Sequence, residues 1–142
     1  MVERAVGVDI STGMIERARE LAAGLGNVEF IVGDSEQLPF PNETFTAVMC
    51  SSSFHHYPDP AQALGEMARV LTRGGRLVIA EPNADLALVR IADRVLRRVD
   101  RSHVRLYGGA DLAALACAAG FDDAATRPLG IRGYLLLSGH RS

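Results

Sequence analysis

The sequence predicts an α/β fold: a Rossmann-like, mostly parallel sheet with helices on both faces, followed by an antiparallel hairpin. Three observations predict it. Short β-branched segments alternate with amphipathic stretches of helical period. Polar residues stand directly after three of the predicted strands. The last two predicted strands are separated only by a turn at Pro128-Leu129-Gly130, as in a hairpin.

The elements of the first half follow from local signals. A strand is predicted over residues 3–8, and Ser11 or Thr12 is placed to cap a helix over 13–23. A strand over 28–32 comes next, and a proline-rich loop leads to another over 46–50. Because this last strand carries no charge, we expect both of its faces to be buried.

The second half continues the alternation. Pro60 suits the first position of a helix over 61–71, and Gly74-Gly75 turns the chain into a strand over 76–80. A third helix is predicted over 84–99, and Asp111 is placed to cap a fourth over 112–119. The hairpin strands then occupy residues 121–127 and 131–138.

Composition narrows the classes of function. The chain has 142 residues, 48% of them hydrophobic, which suits a single domain with one core over residues 1–142. A net charge of -2 makes nucleic acid an unlikely partner class. Two cysteines are too few for a disulfide framework, and no Cys/His spacing indicates a metal. With no spanning apolar run and no leader pattern, we expect a cytoplasmic protein without a membrane partner.

Ligands of parallel α/β sheets bind beyond the carboxyl ends of the strands, which selects Asp9, Asp34, Ser51 and Ser52. The Asp9 carboxylate can accept hydrogen bonds from both hydroxyls of a ribose. Alternatively, Asp9 only caps the helix that follows it. Asp34 can accept the exocyclic amino group of an adenine while the Ser35 N–H addresses the ring. The alternative is a loop aspartate that merely ends a strand.

A histidine pair follows the strand over 46–50. Ser51 and Ser52 can hold an ammonium group, and His55 or His56 can act as a general base near neutral pH. Alternatively, the histidines pack and hydrogen-bond the backbone. The third helix carries several arginines, which we interpret as a solvated face; a site for an acidic substrate is the alternative.

These segments together resemble the class I S-adenosylmethionine-dependent methyltransferases that act on small molecules. The resemblance rests on the runs VEFIVGD at 28–34, LPF at 38–40, SSSFHHYPD at 51–59, ARVL at 68–71 and GGRLVI at 74–79. It implies S-adenosylmethionine as cofactor and a small-molecule acceptor. By the same resemblance, the cofactor contacts are Asp9, Ile10, Asp34, Ser35, Ser51 and Ser52, and the catalytic candidates are His55 and His56.

The resemblance begins at the family's second strand, so we expect a domain that lacks the first strand and the glycine-rich cofactor loop. In that fold the first strand lies between the strands that here are 5–8 and 47–50. The gap is expected to close by direct pairing of these strands, by a strand from a second copy, or by association of the open edges. We favour a homodimer. Two other functions stay open: a non-catalytic binding or dimerisation module, and a nicotinamide-dependent dehydrogenase, which needs a glycine fingerprint before Asp9.

Overall fold

The computed structural model describes residues 2–99, 104–129 and 133–142, and within them an alternation of strands and helices. The strands are β1 (Ala5–Asp9), β2 (Val28–Val32), β3 (Phe45–Ser51), β4 (Leu71–Pro82), β5 (Phe121–Pro128) and β6 (Tyr134–Arg141). The helices are α1 (Thr12–Leu21), α2 (Pro60–Val70), α3 (Ala87–Val99) and α4 (Gly109–Ala118), with a short 3-10 turn at Phe54–His56. The predicted α/β class and the C-terminal hairpin are confirmed.

The strands form two sheets, which the sequence did not indicate. β1 and β2 pair in parallel, and β3, β4, β6 and β5 form a four-stranded sheet in that order. β4 is parallel to β3 and antiparallel to β6. Among the described residues, β1 and β3 do not pair with each other or with a further strand on their open edges. Direct pairing, one of the three expected ways to close the gap, is therefore absent from this part of the chain.

The main core lies on the four-stranded sheet. Side chains of α2, α4 and the sheet form one buried cluster, to which Phe54, Leu64, Leu77, Leu112 and Leu137 belong. The apolar stripe of α2, which includes Leu64 and Met67, faces this cluster. The prediction that β3 is buried on both faces is wrong: Cys50 is buried, but Met49 is 77% exposed. Residues of a strand alternate between its faces, and the described residues cover only one face of β3.

Two predicted helix starts are also wrong. α3 begins three residues late, because Asn83 makes a turn in which its Oδ1 accepts from the Asp85 N–H at 2.9 Å. The N-cap of α4 is Gly108 and not Asp111. The acceptor at that helix end is supplied from a distance by Asp85, whose Oδ2 lies 2.9 Å from the Gly109 nitrogen. Residues 130–132, which contain the last residue of the expected hairpin turn and the start of its predicted second strand, lie outside the described residues.

Candidate functional site at the strand ends

Parallel pairing gathers the predicted site residues in two neighbouring groups. In the β1–β2 pair, Asp9 stands opposite Val32, and the Asp9 carbonyl accepts from the Gly33 N–H at 3.0 Å. In the β3–β4 pair, Ser51 stands opposite Ala80, whose carbonyl accepts from the Ser52 N–H at 2.9 Å. Each pair thus places its polar residues at the carboxyl end of its strands, where ligands of such sheets bind.

Asp9 takes part in the turn from β1 into α1. Its Oδ1 accepts from the Ser11 N–H at 2.8 Å, and the Ser11 hydroxyl in turn accepts from the Met14 N–H at 3.3 Å as the N-cap. Asp9 Oδ2 has no hydrogen-bond partner within the described part of the chain. One oxygen therefore fixes the carboxylate, and the other remains available to a ligand. Ile10 beside it is exposed.

Asp34 forms a tight turn after β2. Its Oδ1 accepts from the Glu36 N–H at 2.8 Å, and its carbonyl accepts from the Gln37 N–H at 3.1 Å. The Asp34 side chain is exposed, while Ser35 is half-buried. The turn fixes the direction of the Asp34 side chain. This is consistent with an aspartate that only ends the strand and also with one that contacts an adenine.

Contacts across the chain tie this turn to the segment after β3. Glu36 Oε1 accepts from the Asp59 N–H at 2.7 Å, and the Glu36 carbonyl accepts from the Gln62 side chain at 2.8 Å. The structure therefore joins the loop of Asp34 to the loop of the histidines, which are far apart in sequence.

Ser52 adopts an uncommon backbone conformation at the end of β3. Its φ is 52°, in the left-handed region that favours glycine. The Ser52 hydroxyl hydrogen-bonds with the Tyr134 hydroxyl at 3.2 Å. Strain of this kind is held in place by surrounding contacts and concentrates at ligand sites. Ser51, by contrast, is an exposed strand residue.

A buried glutamate, which the sequence analysis missed, organises the loop after β3. Glu81 is 1% exposed. Its Oε1 accepts from the N–H groups of Ser53 and Phe54 at 2.8 and 2.9 Å, and its Oε2 lies 2.6 Å from His55 Nδ1. A buried carboxylate needs such partners to offset its lost hydration. Glu81 stands near the end of β4, so the strand-end rule that selected Asp9 could have selected it as well.

Glu81 also orients one histidine. With Glu81 ionised, His55 Nδ1 donates to it, and the acceptor nitrogen of the neutral ring is then Nε2. The His55 carbonyl accepts from the N–H groups of Val104 and Arg105 at 3.0 and 3.2 Å. The ring of His56 lies 4.0 Å from that of His55, centroid to centroid. The two histidines therefore differ: the Glu81 carboxylate holds His55, and His56 lies beside it with its ring tilted by 43°.

Close to the histidines in the chain lies a part-buried polar group centred on the Tyr57 hydroxyl, which Ser53 and Cys50 contact at 3.3 and 3.5 Å. Burial, and then the nearby Cys50, raises the pKa of Tyr57 above its usual range. Burial, with a further contribution from the Glu81 charge, raises the pKa of the Cys50 thiol to about 11. Both groups are neutral near pH 7, so Cys50 is not an activated nucleophile.

The polar side chains at the strand ends offer hydrogen-bonding groups to a ligand. Within residues 2–99, 104–129 and 133–142, no three His, Cys, Asp or Glu side chains are grouped so as to hold a metal ion. No helix of these residues is long and apolar enough to cross a membrane. The carboxylates at two strand ends and the oriented histidine allow hydrogen-bond recognition and proton transfer.

Comparison with known proteins identifies the family. The family profile described as "Methyltransferase domain" matches residues 1–79, more than half of the chain. The chain belongs to this methyltransferase family. The match covers β1 to the middle of β4, which includes the segments on which the resemblance was based.

Curated relatives agree with this assignment. The chain is 37% identical over 108 residues to the uncharacterized methyltransferase YcgJ of Bacillus subtilis, covering 73% of this chain and 43% of the relative. It is 42% identical over 76 residues to a demethylmenaquinone methyltransferase of Clavibacter sepedonicus, covering 54% of this chain and 31% of the relative. The chain thus spans less than half the length of these relatives.

Solved structures share the fold. The crystal structure of YcgJ superposes with a TM-score of 0.82 at 23% identity, over 99% of this chain and 83% of that one. The cyclase SpnF superposes with a TM-score of 0.80 at 19% identity, over 97% of this chain and 66% of that one. At these identities the likeness concerns the fold alone. Family and fold together do not favour the dehydrogenase alternative.

Proposed function

We propose that this chain carries the S-adenosylmethionine-dependent transfer of a methyl group to a small-molecule acceptor. One observation supports this most: in a chain of the methyltransferase family, the strand ends combine a carboxylate with a free oxygen, Asp9, and a carboxylate-held histidine, His55. The first suits nucleoside binding, and the second suits an acceptor that must lose a proton.

The residues divide between two ligands. Asp9 Oδ2 would accept a hydrogen bond from a ribose hydroxyl beside Ile10. Asp34 would accept from the exocyclic amino group of the adenine, and the Ser35 N–H would donate to its ring. Ser51 and Ser52 would hold the amino acid end of the cofactor through hydroxyl and carbonyl oxygens. S-Adenosylmethionine, when bound, supplies an electrophilic methyl group on a sulfonium. The fit rests on acceptor groups that suit the uncharged hydroxyls of the nucleoside.

His55 is proposed as the general base. The Glu81 carboxylate fixes the ring in one direction and stabilises the imidazolium that forms when Nε2 takes a proton. General bases typically contribute about 10²- to 10⁴-fold, and correct positioning of the reactants contributes more. Glu81 touches neither ligand in this scheme, so it is a positioning residue. His56 contacts the ring of His55 and would line the acceptor side.

A non-catalytic binding or dimerisation role is the second candidate, because β1 and β3 leave open edges within the described part of the chain. In that case the chain would bind the cofactor or a partner without transferring a methyl group. We also propose that the protein acts in the cytoplasm as a homodimer that covers the open edges of β1 and β3. Sedimentation at micromolar concentration that gives a stable monomer would contradict the dimer.

The function is tested by binding and by turnover. Isothermal titration with S-adenosylhomocysteine should show saturable binding, whereas NAD should not bind. Incubation with methyl-labelled S-adenosylmethionine and fractionated small-molecule extract should transfer label into an acceptor. In His55→Ala, transfer should fall at least about 100-fold while cofactor affinity stays within a few-fold. Cofactor binding without transfer to any fraction would support the non-catalytic role. No binding of the cofactor would refute methyl transfer and would leave a role in binding a partner or in dimerisation.

A further inference from the structure

α3 presents an apolar face to solvent. Leu88 and Val99, one near each end, are 82% and 73% exposed. Between them, further exposed apolar side chains fall at helical spacing on the same face: Ile91, Ala92, Val95 and Leu96. Large apolar side chains that form a continuous exposed stripe mark an interaction surface, whereas single ones do not.

The described part of the protein leaves this face uncovered. α3 makes only sparse contacts with other helices and strands. It is attached by the side that carries half-buried Val89 and buried Asp93, whose Oδ1 accepts from the Leu106 N–H at 3.0 Å. This attachment lies about 100° around the helix from the centre of the apolar stripe, at 100° per residue. The stripe is therefore free while the helix itself is held.

The exposed charge on α3 has one sign. Arg90, Arg94 and Arg98 are exposed, and none of them has an ion-pair partner among the described residues. The one acidic residue of the helix, Asp93, is buried against the Leu106 backbone. The whole chain has a net charge of -2, so positive charge is concentrated here against the overall balance.

We propose that α3 is a docking surface for an anionic lipid bilayer, lying in the plane of the membrane surface. A strongly amphipathic helix with arginines on its polar side binds in this way, with its apolar side chains at the boundary of headgroups and acyl chains. Arginine side chains are long enough to reach headgroup phosphates from beside the stripe. A second copy of α3 fits the same stripe less well, because two helices with unpaired arginines repel each other.

The apolar stripe and the exposed arginines of α3 include none of the residues proposed to bind the cofactor or to take the proton, and they lie outside β1 and β3. The proposal differs from the expectation that the protein has no membrane partner. That expectation rested on the absence of a spanning apolar run and of a leader pattern in the sequence. A helix that lies on a bilayer needs neither.

Flotation with lipid vesicles tests the proposal. The protein should bind vesicles of 30% phosphatidylserine in phosphatidylcholine at least about tenfold more strongly than phosphatidylcholine alone, since each arginine near the surface adds attraction. Raising the salt to 0.5 M should remove most of this preference. Ile91→Asp with Val95→Asp should abolish binding to both vesicles. Arg94→Gln with Arg98→Gln should remove the preference for the anionic vesicles.

A matched control is Leu21→Asp, an equally solvent-exposed apolar residue on α1, which is 72% exposed. It should bind vesicles as the unchanged protein does. All substituted side chains are exposed, so each variant should keep the circular dichroism and melting of the parent. The proposal is overturned by absent binding, by equal loss in Leu21→Asp, or by a dimer that Ile91→Asp with Val95→Asp dissociates while neither form binds vesicles.

Discussion

At the scale of single residues, the candidate site depends on carboxylates whose surroundings differ. Asp9 is held by one hydrogen bond to the Ser11 N–H and keeps a second oxygen for a ligand. Glu81 is fully enclosed and uses both oxygens within the protein. The same chemical group therefore serves recognition at one strand end and support at another.

We expect Asp9→Ala to weaken the binding of S-adenosylhomocysteine at least about tenfold, because a charge-assisted ribose contact contributes roughly 1.5 to 3 kcal/mol. His56→Ala is the control, since His56 would face the acceptor, and its affinity should change little. Isothermal titration measures both variants. Equal affinities in Asp9→Ala and the unchanged protein would remove Asp9 from the site.

Loss of Glu81 should cost far more stability than loss of a surface glutamate. Glu81→Ala leaves the buried Phe54 N–H, the part-buried Ser53 N–H and His55 without their acceptor, which should lower the free energy of unfolding by about 3 to 5 kcal/mol. Glu29→Ala removes an exposed 2.9 Å pair with Arg4 and should cost under about 1 kcal/mol. Urea denaturation compares the two. A similar small loss in both would show that Glu81 is not a structural acceptor.

At the scale of elements, α2 fixes the loop between β2 and β3. Arg69 donates to the carbonyls of Leu38 and Phe40 at 3.0 and 2.7 Å, and Glu66 Oε2 accepts from the Leu38 N–H at 2.8 Å. Arg69 and Glu66 also pair with each other at 2.7 Å. These contacts tie the loop that carries Asp34, the candidate contact to adenine, to a helix of the main core.

This clamp should loosen in acid. The hydrogen bond from Arg69 lowers the pKa of Glu66 below its ordinary value of 4.5. The stabilisation is therefore complete above about pH 4.5 and is lost as the pH falls through the lowered pKa of the folded state. Amide exchange of Leu38 and Phe40, corrected for intrinsic rates, should accelerate as the pH falls through the lowered pKa of Glu66. In Arg69→Met it should already be fast at pH 7; unchanged protection in that variant would refute the clamp.

At the scale of the whole molecule, the two sheets differ in the number of buried apolar side chains that pack on them. The buried cluster belongs to the four-stranded sheet with α2 and α4, whereas Ile15 is the one buried hydrophobic residue among those described in β1, α1 and β2. Few buried apolar contacts and open strand edges lower the free energy of local opening.

We therefore expect the amides of β1 and β2 to exchange at least about tenfold faster than those of β4 and β6 in the unliganded protein. S-Adenosylhomocysteine should slow exchange in β1 and β2 selectively if Asp9 binds it, because ligand binding stabilises the state that binds. Hydrogen exchange followed by mass spectrometry resolves these segments. Uniform protection across both sheets would mean that the open edges of β1 and β3 are covered. The proposed homodimer would cover them.

The sequence by itself determined the features that near neighbours control. The cap at Ser11, the start of α2 at Pro60 and the apolar stripe of Leu64 and Met67 depend on residues within a turn or two of each other. The placement of Asp9 and Asp34 at strand ends follows from the alternation of strands and helices. The family is indicated by segments that are each contiguous in the chain. Features of this kind depend on the spacing of residues along the sequence.

Only the tertiary structure decided the features that depend on distant partners. Glu81 is a buried acceptor because Ser53 to His55 fold over it, and α4 is capped by Asp85, more than 20 residues earlier in the chain. The exposed face of β3, the division into two sheets and the bare stripe of α3 depend on what packs opposite them. Burial is a property of the pair of surfaces that meet, and a sequence pattern describes only one of them.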